Sequence, residues 1–507
     1  MSKYSLMFLY TILSVLYAYG LTIYSESKVL YTIFTLVYFS LLFSALYKPI
    51  SYSYVFLSIF LFLGMWLKLT LHLIFDYRYV EPIGAFYTAN ARMDSVLLIA
   101  IIGAIGVISS SIIYRLTKLK STIYIYENYI FKKPIIYKFY DTYRIYIYII
   151  ILFITLMLVY LNIVYQIQLT GIVPKTILIY PLNAIISWTI GTGLSVLLLV
   201  LFSLDVKFKN ALEIKYLVFF AFIVAITSIG LLSRGQYVFM LGAIIVFLLF
   251  NYNSLNNLSM KKLLIYISSV AFLYIFVIHN VSLLRGYYFS DISIQSSIQG
   301  FSIPESSIPE SSIPESSIQE SSIQESSIQE SSIQESSIQE SSIQGFSIPE
   351  SLHKILRLAV DRWIGLEGLM AVSSYEHKSF ELFLNALKTK ATIGKIDIYQ
   401  YISNAHYKDM DNMKFAFATI PGSMAFFYYT GSLLFVYFGM LVFSLVMLLL
   451  EYYLYLWYKS ALLVSAIGMY LANAVAQFGL MPINFLKSMF FTFSFLLIFK
   501  LIKIKKV

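Results

Sequence analysis

The chain is 507 residues long, 59% hydrophobic, 18% aromatic and only 12% charged, with a mean hydropathy of +0.78 and a net charge of +10. Soluble domains carry roughly 25% charged residues, so this composition excludes a soluble enzyme, a disordered regulator and a nucleic-acid binder. The absence of cysteine removes disulfide scaffolds, thiol catalysis and cysteine-held metals.

About 20 apolar residues are needed for a helix to cross ~30 Å of hydrocarbon. Twelve such runs are predicted, at 5–23, 29–47, 52–73, 95–113, 145–165, 183–204, 216–232, 235–250, 263–281, 432–450, 460–479 and 483–502. The expected fold class is an all-α polytopic membrane protein. No small-residue cleavage site follows the first run, which is expected to stay as an uncleaved helix. Lysine and arginine set the orientation. With a cytoplasmic N-terminus, the inner connections hold 19 basic residues and the short outer ones seven. Both termini are therefore expected inside. The organisation this predicts is a transmembrane bundle at 1–281, a long outer loop at 282–431, and the last three spans with a basic tail at 432–507.

Inside the long loop, residues 297–351 are eleven five-residue units of the form Ser-Ile-Pro/Gln-Glu-Ser, with Ser-Ile-Gln-Gly-Phe at 297–301 and 342–346. A period of five matches neither a helix stripe nor strand alternation. The composition reads as a low-complexity disordered insertion grown by tandem duplication; a short β-solenoid is the alternative. It carries nine of the 26 acidic residues and no base, and no catalytic role is assigned to it. Residues 352–390 then alternate apolar and polar groups at helical spacing, predicting amphipathic helices over the outer membrane face. Residues 415–431, apolar but broken by Pro421 and Gly422, predict a re-entrant or half-helix entry into the tenth span, tolerated only where protein covers it.

Lysine outnumbers arginine 28 to 8, and six of the eight arginines fall on the predicted outer side: Arg78, Arg92, Arg234, Arg285, Arg357 and Arg362. All five histidines fall there too. Arginine grips phosphate or carboxylate through a planar fork that lysine lacks, so this bias points to a di-anionic ligand such as a pyrophosphate. Arg234 stands in SRGQ between two spans with almost no loop, where it either snorkels to the interface or binds an anion. Arg285 admits the same two readings, Arg357 and Arg362 on an amphipathic helix either face solvent or bind the anion, and the case rests on the cluster.

Glu367, five residues after Arg362, and Glu81 in YVEPIG are candidate general bases for a sugar hydroxyl, or else partners of a nearby cation. Lys68 and His72, four apart, share one helical face. The sequence shows no metal-ligand spacing, no phosphate-cradling glycine loop and no Gly-x-Ser-x-Gly, so neither a metal nor a cofactor is expected.

These segments resemble the Wzy-type O-antigen polymerases, which join oligosaccharide repeat units. The matching stretches are SRGQYVFM at 233–240, RWIGLEGLMAVSSY at 362–375, ATIPGSMAFFYYTGS at 418–432 and GMWLKLTLHLIFDYRYVEPIG at 64–84. The family's pattern of Arg, ten residues and Gly occurs once, from Arg357 to Gly368. The resemblance implies a glycosyltransferase at the periplasmic face of a Gram-negative inner membrane, acting on undecaprenyl-pyrophosphate-linked oligosaccharide. It implies no nucleotide, and a flippase and a chain-length regulator as pathway partners. On this reading Arg234, Arg285 and Arg357 bind pyrophosphate, Arg362 and Glu367 are catalytic, and Lys68, His72 and Glu81 line the substrate site. The related O-antigen ligases carry His, six residues and Gly, which His279 to Gly286 also fits. A ligase, another lipid-linked-sugar glycosyltransferase, and a precursor transporter or flippase stay open as alternatives.

Overall fold

Four serines start helices in the same way. Ser27, Ser51, Ser432 and Ser460 each accept a hydrogen bond from the backbone N–H three residues on, satisfying a donor that the helix cannot. In the computed structural model the described residues are 3–123, 135–296, 360–388, 397–404 and 420–479, together with 490, 492–494 and 497. Positions 78, 80, 90, 118, 120, 177, 180–181, 210, 252–254, 256–258, 361–362 and 364 are excepted. Among these residues the chain is helical, with no strand.

Among the described residues nine helices are long and apolar enough to cross a membrane, the make-up of a multi-pass membrane protein. They are α1 (Lys3–Ile23), α2 (Lys28–Leu46), α3 (Tyr52–Phe75), α4 (Met93–Leu116), α6 (Arg144–Tyr165), α7 (Ile185–Lys209), α9 (Arg234–Asn251), α10 (Met260–Ser296) and α15 (Leu433–Tyr458). A short α5 (Ile135–Thr142) precedes α6. Two further predicted spans are apolar helices under 18 residues, α8 (Ile214–Gly230) and α16 (Ala461–Ala476). The run at 483–502 lies almost wholly outside the described residues. Between α10 and α15 stand α11 (Leu366–Ser374), α12 (Phe380–Lys388), α13 (Ile398–Ile402) and α14 (Ser423–Tyr428).

By contacts the chain divides into residues 1–285 with 356–507, and a second unit, 286–355. Of the second unit only the end of α10 is described; the pentapeptide repeat lies outside the described residues. In the first unit, α4 packs on α2 and α15, and α16 on α3, α9 and α7. Helices α1, α6 and α10 turn Phe8, Phe153 and Phe272 outward, as lipid-facing helices do. Trp66 is fully buried, its indole N–H donating to Thr35 Oγ1 at 2.8 Å.

Two polar knots tie helix ends together. Glu451 of α15 accepts from the backbone N–H groups of Tyr52 (2.9 Å) and Ser53 (2.6 Å), from Ser51 Oγ (3.0 Å) and from Thr122 Oγ1. It thereby caps α3 from another helix. Arg144 pairs with Asp205 and with Asp141 (3.1 Å), and its guanidinium lies 4.9 Å and 5.0 Å from the ring centres of Tyr140 and Tyr216.

The segment after the repeat departs from expectation in one respect. Helix α12 is amphipathic as predicted, burying Phe383 and Ala386. Helix α11, expected to lie on the membrane face with a polar side, is instead buried round its circumference from Leu366 to Val372. It packs on α4 and α14. Of the segment 415–431, residues 415–419 lie outside the described residues, and the remainder holds α14, buried over Ser423–Phe427.

Candidate functional site

Helix α3 contains a π-helical turn, Phe62–Leu67, immediately before Lys68. Such a turn holds one residue more than an α-turn and re-aims the side chains after it. Lys68 and His72 follow it on one face, 0% and 4% exposed. Lys68 Nζ pairs with Glu367 in the first turn of α11 and donates to the carbonyl of Trp363 at 2.8 Å. The cluster therefore joins an early helix to the segment after the repeat, as the two candidate residues alone did not foretell.

Glu367 is 3% exposed. Burial pushes its carboxyl above the ordinary range, Lys68 pulls it back down, and Glu81 pushes it up again. Burial is the leading cause, so the net direction is upward, toward the range useful to a base. Two tyrosines missed by the sequence reading complete the surroundings. Burial, and then the Glu367 charge, hold the Tyr79 phenol well above its usual value. Tyr399 of α13 is raised by burial, then by Glu367 and Glu81. With 44 tyrosines in the chain, nothing in the sequence distinguishes these two.

His72 Nδ1 donates to the carbonyl of Tyr77 at 2.9 Å, which makes Nε2 the acceptor nitrogen whenever the ring is neutral. The imidazole stacks on Tyr79 at 4.3 Å between ring centres, with 8° between planes. The loop carrying Tyr79 and Glu81 is locked to the late segment, because Gly84 N–H donates to Ser403 O at 2.9 Å. Gly84 has φ +64, and a Cβ there would meet the Ile402 carbonyl at 2.7 Å. Only glycine fits that crossing without strain.

Of the six arginines singled out in the sequence, Arg92 stands at the start of α4, whereas Arg234 and Arg285 come together at one turn. Arg234 Nη2 donates to Ser282 Oγ on α10 at 2.7 Å. Arg285, on the same helix, donates from Nε (3.2 Å) and Nη2 (2.7 Å) to the carbonyl of Leu232. Arg234 opens α9, whose Phe239 meets Phe60 of α3 edge-on at 5.8 Å. Thus the arginine pair and the Lys68 cluster stand on neighbouring helices. Arg357 and Arg362 lie outside the described residues.

Among the described residues no group of three or more His, Asp or Glu side chains converges to hold a metal. A groove of about 680 Å³ between α8 and α10, lined by Lys215, Phe219, Phe222 and Phe272 among others, contains none of the predicted site residues. The chemistry is legible instead in the buried cluster: an ammonium, an adjoining carboxylate, an imidazole oriented through its Nδ1, and two phenols. No family model, curated protein or solved structure matches this chain.

Proposed function

We propose that the protein is a membrane glycosyltransferase of the O-antigen polymerase type, with twelve spans, both termini cytoplasmic, and the Lys68 cluster at the periplasmic face of the inner membrane. The observation that carries this reading is the pairing of Lys68 with Glu367, close to Tyr79 and Tyr399, with His72 of the same helix face stacked on Tyr79. It brings two of the segments that resemble the family, 64–84 and 362–375, into one site. The arginine pair at Arg234 and Arg285 supports it from a third, 233–240.

In this mechanism a sugar hydroxyl of one lipid-linked repeat unit attacks the anomeric carbon of another. The new glycosidic C–O bond forms as the bond to the pyrophosphate breaks, and the electron pair leaves on undecaprenyl pyrophosphate. Glu367 takes the hydroxyl proton. Arg234 and Arg285, with Arg357 and Arg362, neutralise the charge that develops on the leaving group, a stabilisation that needs no metal. Lys68, His72 and Glu81 line the site. A flippase supplies the lipid-linked units, and a chain-length regulator acts on the growing polymer.

The test is a gene deletion followed by electrophoresis of the lipopolysaccharide. A polymerase leaves core capped by a single repeat unit. Bare core with accumulated lipid-linked polymer identifies a ligase instead, and an unchanged ladder removes both.

A further inference from the structure

Lys68 and Glu367 are both almost wholly buried, so neither reaches a substrate while each holds the other. Taking two charges out of water costs about as much as their attraction returns, and apolar residues of the same shape would hold such a contact equally well. What an ion pair offers and an apolar pair does not is exchange. A diphosphate carries more charge and more acceptor oxygens than a carboxylate, and its hydrogen bonds to a cation are strong ones.

The surroundings of α11 suit such an exchange. Its first turn, which carries Glu367, follows Gly365 at φ +147, a conformation side-chain-bearing residues rarely adopt. Its last turn is pinned, because Lys378 Nζ donates to the carbonyls of Ser373 (3.0 Å), Val372 (3.4 Å) and Tyr375. The helix is thus anchored at one end and joined through a permissive residue at the other. The carbonyl of Trp363, which Lys68 also holds, is next in the chain to Arg362.

We infer that Glu367 occupies the anion site that Lys68 offers to the diphosphate of the lipid-linked donor. Donor binding displaces the carboxylate from the ammonium, and the freed carboxylate becomes the base for the acceptor hydroxyl. The base is therefore released only when a leaving group is in place, which guards against idle reaction with water. This inference rests on the polymerase reading for the identity of the donor.

The experiment uses the purified full-length protein and farnesyl diphosphate as a soluble probe, followed by calorimetry. Glu367→Gln removes the internal competitor and keeps Lys68, so it should bind the probe at least about tenfold tighter than the native protein, ~1.4 kcal/mol. Lys68→Gln should lose binding by a similar factor. Unchanged or weaker binding by Glu367→Gln overturns the inference, as does equal binding of farnesol. If Lys68→Gln fails to fold, the Glu367→Gln result decides alone.

The absence of native cysteine allows a second readout. A thiol at Leu366→Cys, placed at a buried position in the first turn of α11 beside Glu367, should react with maleimide faster when farnesyl diphosphate is added. It should react fast without the probe when combined with Glu367→Gln. No acceleration in either case overturns the exchange. A lost glycan ladder on gene deletion without exchange would sink this inference alone. Exchange with an unaltered ladder would sink the polymerase reading alone.

Discussion

A Cβ on Gly368 would lie 1.9 Å from the carbonyl oxygen of Pro421. The residue after Glu367 is thus pressed against the backbone that leads into α14, and α11 keeps its place because nothing projects there. Gly368→Ala must push α11 and α14 apart, an overpacking that costs ~1–3 kcal/mol, and it shifts Glu367 away from Lys68. The expected outcome is a lost glycan ladder with a lowered melting temperature in detergent. Ser373→Ala, a control on the same helix, should leave both near native values.

The pH dependence of turnover follows from Glu367. A base works when deprotonated, so the rate rises as pH passes upward through its pKa. Burial raises that pKa above the ordinary carboxylate range, which moves the acid limb of the rate profile toward neutrality. Glu367→Gln should remove the limb together with most of the activity. An acid limb at the position of a solvent-exposed carboxylate would contradict the assignment.

Arg234 and Arg285 meet at the turn before α9. Removing one preorganised donor that stabilises developing charge costs roughly 10²–10³ in rate. Alanine at either position should therefore abolish the ladder at normal protein levels. Arg115 is the contrast, since its guanidinium donates to the carbonyls of Ser44 and Lys48 at the opposite helix ends. Alanine there should leave the ladder intact.

Deletion of residues 297–351 should leave the ladder and the expression level close to native, because the repeat supplies none of the groups assembled at the site. A lost ladder in this variant would give the repeat a role in catalysis or assembly.

Glu451 accepts from two backbone N–H groups and two hydroxyls. Glu451→Ala strands those donors in the interior, at roughly 1–3 kcal/mol for a group left unsatisfied. The measurable result is a lower melting temperature, and reduced abundance in the membrane rather than a changed pH profile.

Much of this organisation is legible in the sequence, since hydrophobic run length alone gives the long helices. Lys68 and His72 could be paired on one face by their spacing, and Glu367 and Glu81 could be chosen as carboxylates in the right region. Their assembly could not be read, because periodicity speaks only about neighbours in the chain. The pairing of Lys68 with the Glu367 segment spans nearly three hundred positions. The environment of α11 was misjudged for a related reason. LEGLMAVSS mixes small and apolar residues, and such a pattern does not tell a helix covered by membrane from one covered by protein. Glu451 and the Arg144–Asp205 pair escaped notice because nothing in the sequence marks a lone charge near a span end as buried.

The π-helical turn in α3 has an implication for how this chain tolerates change. Wound as an unbroken α-helix, the same sequence would carry Lys68 and His72 about 100° round the axis, one residue's advance, and off the site. The turn is therefore a phase joint. It is also the place in α3 where a residue can be removed with least disturbance, since excising Leu63 lets the helix close into regular winding while Lys68 keeps its bearing. A deletion a few residues nearer the chain start, at Val55 for instance, has no such slack to absorb it, and would turn one half of the span against the other.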